Sequence, residues 1–120
     1  DVFTWQNEFV KDNEIANYFS AADVLALPYH SASQSGIVQM AYHFNKPVVV
    51  TNVGGLPEYV QEKVSGFSIP PNNPDSLARC LAENLKNNTF SRMPEQIKTY
   101  KMQFTWENFV KGIEELYQEL

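Results

Sequence analysis

Asp23-Val24-Leu25-Ala26-Leu27-Pro28, then Ser33-Gln34-Ser35-Gly36-Ile37-Val38-Gln39-Met40-Ala41, then Lys46-Pro47-Val48-Val49-Val50-Thr51 decide the fold of this chain. The first run is apolar, short enough for a buried strand, and closed by Pro28. The last is β-branched and reads as a second buried strand. Between them, Ile37, Met40, Ala41 and Phe44 fall at the three-, four- and seven-residue offsets of one helix face. Strand, polar loop, helix and strand in that order make a βαβ unit with parallel strands. Ligands of such sheets bind outside the carboxyl ends of the strands. That points to the loop from Tyr29 to Ser35.

Working outward, Val2-Phe3-Thr4-Trp5 reads as a short strand. Asp12 or Asn13 is placed to cap a helix with Ile15, Tyr18, Phe19 and Ala22 on one face. The central helix starts at Ser35 or Gly36 and ends near Phe44. Asn45 suits a left-handed residue at its end, and Lys46 puts a cation beside the negative pole. After Thr51, Asn52-Val53-Gly54-Gly55 is a turn, and Pro57 opens a short helix with Glu58, Tyr59 and Val60. Gly66-Phe67-Ser68-Ile69 is one more strand. Asn73 before Pro74 marks a helix start whose face is Leu77, Leu81 and Leu85. A further helix is expected from about Pro94 to Phe104. The last, capped by Thr105, carries Trp106, Phe109, Val110, Ile113, Leu116, Tyr117 and Leu120 as an apolar stripe, read first as packing. The fold class is therefore α/β, a Rossmann-like parallel sheet flanked by helices.

The 120 residues suffice for one domain with a real core. Hydrophobic residues are 43%, charged residues 19% and the formal charge is −5, so a nucleic-acid or anionic-membrane surface is not expected. One cysteine, Cys80, leaves no intrachain disulfide and fits a reducing compartment. No apolar run approaches the ~18 residues of a membrane span. The chain begins at Asp1 without methionine and enters structure almost at once, as expected of a piece of a longer protein.

The sharpest chemical feature is Ser33-Gln34-Ser35-Gly36. A helix N-terminus offers unpaired N–H groups and a partial positive charge, which suit a phosphate. The plainer reading is a serine cap. Gly54-Gly55 opens onto the same edge of the sheet, and Glu58 after it either accepts from sugar hydroxyls or simply favours a helix start. Gln39 and His43 share one helix flank. His30 and His43 have no companions at metal-ligand spacing, and Cys80 lacks the basic surroundings of a nucleophile.

Ala21-Ala22-Asp23-Val24-Leu25-Ala26-Leu27-Pro28, Asn45-Lys46-Pro47-Val48-Val49-Val50, Val53-Gly54-Gly55-Leu56-Pro57-Glu58 and the run from Ser65 to Ala78 together resemble the retaining glycosyltransferases of family 4, of GT-B architecture. The resemblance implies that residues 1–120 are part of the C-terminal, donor-binding domain. It implies a nucleotide-diphosphate sugar at Ser33, Gln34, Ser35, Gly36, Ile37, Gln39, Met40, Gly54, Gly55 and Glu58, with no metal and no further cofactor. A glycan or lipid-linked acceptor would come from the other domain. The setting implied is cytoplasmic, at most peripheral to the inner face of a membrane, with membrane contact only through regions outside this chain. A partial domain would expose the stripe of the last helix, through which the fragment could dimerise. The family's two glutamates, eight residues apart, map to Ala32 (or Ser33) and Met40. Neither position is acidic here, so the catalytic residues are unassigned. A non-catalytic nucleotide-sugar-binding or structural module is the alternative, and a receiver-like interaction domain ranks behind it.

Overall fold

The structure, a computed structural model, describes residues 3–32 and 36–119. Three strands, β1 Leu25–Leu27, β2 Val48–Thr51 and β3 Gly66–Ile69, form a sheet in the order β1-β2-β3. Both pairings are parallel, with Leu25 opposite Val48 and Val48 opposite Gly66. Helix α1 (Asp12–Ala21) precedes β1, and α2 (Gly36–His43) crosses from β1 to β2. A 3₁₀ turn, Leu56–Tyr59, lies between β2 and β3. Helices α3 (Pro74–Lys86), α4 (Thr89–Tyr100) and α5 (Trp106–Glu119) follow.

Strand β2 is the centre. Val48, Val49 and Val50 are at most 1% exposed, because a middle strand of a parallel sheet is covered on both faces. Phe19, Leu27, Val38, Ala41, Tyr42, Leu56, Ile69, Phe90, Met93 and Ile97 complete the core around it. Gly66 answers a close approach: a Cβ there would lie 1.9 Å from the Val48 carbonyl oxygen. Only glycine lets β3 pair with β2 at that point.

Helix α2 has the expected extent but is rotated by about one residue. Val38, Ala41 and Tyr42 are its buried residues, while Met40 is exposed. Ile37, Met40 and Phe44 face α1 instead, where Phe44 stacks on Phe19 with centroids 5.2 Å apart. Apolar residues occupy both flanks of α2, so their spacing alone does not choose the inner one. Asn45 takes the expected left-handed conformation, φ 58°. The Lys101 ammonium donates to the Tyr42 carbonyl at 3.2 Å and to Asn45 Oδ1 at 2.8 Å. The C-terminal pole of α2 is thus closed by a cation 55 residues beyond the expected Lys46.

Other expectations are corrected. Phe3–Trp5 form no strand and are exposed, pairing with none of the three strands (Val2 lies outside the described residues). Helix α1 starts at Asp12 after Lys11, with no side-chain cap from Asp12 or Asn13; Asp12 and Glu14 instead place charge in its first turn. Helix α4 begins at Thr89, not Pro94, and a 3₁₀ turn, Lys101–Phe104, replaces its last residues. Left-handed Asn88, φ 57°, separates it from α3. Pro94 lies inside the helix, and the earlier start brings Phe90 and Met93 into the core beside Ile97. Helix α3 is capped as expected, with Asn73 Oδ1 accepting from the Ser76 amide at 3.1 Å. Thr105 Oγ1 likewise accepts from the Asn108 amide at 3.3 Å before α5. The α5 stripe does not pack: Trp106 is 76% and Tyr117 78% exposed. Leu120 lies outside the described residues. Among the described residues, no helix is long and apolar enough to cross a membrane.

Two glycine replacements separate the sheet constraint from the loop. Gly66→Ala is expected to cost about 2–3 kcal/mol or more in urea denaturation, because the added methyl meets backbone. Gly36→Ala, where a Cβ meets nothing within 4 Å, should stay within about 1 kcal/mol of the parent.

Candidate functional site

The parallel register brings Leu27, Thr51 and Ile69 to one edge of the sheet, so the connections after all three strands meet there. They are the segment from Pro28 to Ala32, the turn from Asn52 to Gly55, and the segment from Pro70 to Asn73. A groove of about 270 Å³ lies between the first and the third of these, lined in part by Pro28, His30, Thr51, Ile69 and Asn72. The Thr51 hydroxyl, on a residue 3% exposed, donates to the Tyr29 carbonyl at 2.6 Å. His30 Nδ1 lies 2.6 Å from Asn72 Oδ1. The Asn52 amide donates to the Ile69 carbonyl at 2.7 Å, joining the ends of β2 and β3.

Of the residues singled out in the sequence, Gly36 opens α2, exposed and with free space where a side chain would project. Its freedom from a Cβ leaves the first N–H groups of the helix approachable. Gly54 turns the chain after β2 with φ 51°, a left-handed conformation, and Gly55 precedes the 3₁₀ turn. Buried Leu56 anchors that turn, and exposed Glu58 sits in it. Gly36 follows β1 and Gly54-Gly55 follow β2, strands that end at the same edge, and none of the three lines the groove. Ile37 and Met40 line a different space, an apolar cleft of about 680 Å³ shared with Phe9, Ile15, Phe19 and Leu25. Gln39 is half-buried on the same helix. Ser33, Gln34 and Ser35 lie outside the described residues.

From below, the two connections share a polar anchor. The Tyr42 hydroxyl of α2 donates to the Tyr59 carbonyl at 2.5 Å. Ser65 Oγ, 3.0 Å from the phenol, also accepts the Gln61 amide at 3.0 Å. The phenol has one proton, which goes to the carbonyl, so the serine hydroxyl supplies the second hydrogen bond. Burial pushes the Tyr42 phenol up, and the Ser65 hydrogen bond only partly offsets this. The 3₁₀ turn after Gly54-Gly55 is in this way fastened to the helix that Gly36 opens.

His43 packs edge-on against Phe44, with centroids 5.0 Å apart. Among the described residues no three His, Cys, Asp or Glu side chains gather in metal-binding geometry. Burial raises the Cys80 thiol above its usual range, against a nucleophilic role. Thr51 and Asn72 were not singled out in the sequence. The available signal was a hydroxyl ending the β2 run at its carboxyl end and a second asparagine before Pro74.

Residues 6–104 match the Glycosyl transferases group 1 family. The chain belongs to this family. An uncharacterized glycosyltransferase of Methanocaldococcus jannaschii is 29% identical over 109 residues, 90% of this chain and 31% of the relative. A D-inositol 3-phosphate glycosyltransferase of Saccharomonospora viridis is 29% identical over 107 residues, 88% of this chain and 25% of the relative. The chain thus spans a quarter to a third of the curated relatives it matches. HepE of Anabaena, solved in complex with UDP, superposes with a TM-score of 0.71 at 21% identity, over 86% of this chain and 29% of HepE. The fold is a parallel, Rossmann-like three-stranded unit flanked by helices, as in GT-B glycosyltransferases.

The Tyr42 anchor has a pH signature. The native state holds this proton more tightly than the unfolded chain, whose tyrosine titrates near 10.0. Its contribution is full below that pH and declines as pH rises above it. Tyr42→Phe should cost about 1–2 kcal/mol at neutral pH and flatten the alkaline decline in stability, read from urea midpoints between neutral and alkaline pH.

Proposed function

We propose that residues 1–120 are part of the C-terminal, nucleotide-sugar-binding domain of a retaining glycosyltransferase. The intact protein would transfer a sugar from a nucleotide-diphosphate donor to a glycan or lipid-linked acceptor. One observation carries this reading: the start of α2 and the Gly54-Gly55 turn open onto the same carboxyl edge of a parallel sheet. Donor groups would meet Ser33, Gln34, Ser35, Gly36 and the Ile37 amide, with Gln39 one turn further and Gly54, Gly55 and Glu58 opposite, while the Met40 side chain, also expected there, faces α1. In this reading the diphosphate charge is met by the α2 dipole and by basic side chains from outside this chain, without a divalent ion. Support for the donor class comes from HepE, solved with UDP and also with UDP-glucose. The D-inositol 3-phosphate glycosyltransferase relative supports group transfer as the activity. Residues 1–120 alone carry no acceptor domain in this reading, so transfer is assigned to the intact protein.

A second reading, a non-catalytic nucleotide-sugar-binding module, draws on Ala32 and Met40 standing where the family's glutamates are expected. Gln39 can still bond a ribose hydroxyl, but without charge. Met40→Glu in the intact protein separates the two: tighter donor binding favours a weakened enzyme, and no change favours another use of the pocket.

The test of the donor site is an amide NMR titration with UDP, GDP, ADP and their sugar conjugates. Shifts confined to residues 33–40 and 54–58 are expected, and the nucleotide that produces them names the base. Shifts elsewhere, or none in the intact protein, would overturn the proposal.

A further inference from the structure

Two side-chain hydrogen bonds close over the carboxyl edge, and neither belongs to secondary structure. Thr51 Oγ1 reaches back to the Tyr29 carbonyl, 22 residues earlier. Asn72 Oδ1 reaches His30 Nδ1, 42 residues earlier. Both fasten the same segment, the two residues after Pro28 at the end of β1. One ties it to the last residue of β2, and the other to the connection after β3. Asn72 stands in the left-handed region, φ 56°, which directs its amide toward the β1 side of the groove. Asparagine tolerates that backbone better than most side chains. A hydroxyl at Thr51 is conspicuous in a strand otherwise made of valines. It is buried, and its hydrogen bond is what allows it there.

Resting on the donor-site reading above, we propose that His30, Thr51 and Asn72 act as positioning residues for nucleotide-sugar binding. They lock the connection after β1 against the ends of β2 and β3, so that the edge meets a nucleoside diphosphate already shaped. Without them that connection has to be ordered on binding, and affinity falls by the ordering cost. They need not touch the ligand.

Conservative and non-conservative pairs distinguish positioning from bulk stability. Thr51→Val removes the hydroxyl at constant shape, and Thr51→Ser restores it. Asn72→Gly keeps the left-handed backbone without the side chain, and His30→Ala removes its partner. UDP binding is measured by calorimetry in the intact protein, together with amide exchange at residues 29–32. Thr51→Val and Asn72→Gly should each weaken UDP about three- to tenfold and speed that exchange, His30→Ala should add nothing further to Asn72→Gly, and Thr51→Ser should stay near the parent. A parent that binds UDP, with Thr51→Val and Asn72→Gly binding equally well, would overturn the positioning role alone. A parent that binds no UDP would overturn the donor-site reading and this inference with it.

Discussion

The rest of the molecule hangs on the pairing of β2 with both neighbours. Val48, Val49 and Val50 are buried on both faces, and the Val48 carbonyl comes so close to Gly66 that no side chain fits between. Parallel pairing needs crossovers, and each crossover lifts a helix or turn onto a face of the sheet. The same register that builds the core therefore gathers three strand ends at one edge. The site is a consequence of the sheet, not an addition to it.

Helix α2 transmits this constraint. Lys101 and left-handed Asn45 close its C-terminal end, Val38 and Ala41 are its buried residues in the core with β2, and Tyr42 fastens it to the last residue of the 3₁₀ turn. A helix held at its end, its inner face and one flank has little freedom left at its start. The helix is therefore held in place relative to the 3₁₀ turn that follows Gly54 and Gly55. Preorganised N–H donors at a helix start favour an anion without being reorganised to meet it. At the proposed donor site the attraction would be local to backbone dipoles, which the acidic composition of the chain does not record.

Much of this was legible in the residues. The valine run, Asn45 before Lys46-Pro47, and Asn73-Pro74 each permit few backbone conformations, and each took the one expected. The buried face of α2 was not legible, because Ile37, Val38, Met40, Ala41, Tyr42 and Phe44 offer apolar groups over more than one face. The start of α4 was hidden by Pro94, which suits a first turn but is tolerated further in when packing of Phe90, Met93 and Ile97 offsets the lost hydrogen bond. Phe3–Trp5 showed strand composition without a partner strand, and composition cannot supply one. At the site, glycines announce themselves by spacing. The bonds from Thr51 to Tyr29 and from Asn72 to His30 join positions far apart in the chain, and no local pattern records them.

In the proposed reading, the absence of acidic residues at Ala32 and Met40 bears on catalysis and the architecture of the edge on donor binding, and the two are separable. A crystal structure of the intact protein with UDP tests the proposed location of the donor most directly. The diphosphate is expected against the first turn of α2, outside the carboxyl ends of β1 and β2 and facing Gly54-Gly55. UDP seated in the apolar cleft between α1 and α2, or beside Gln61 and Tyr100, would contradict the account.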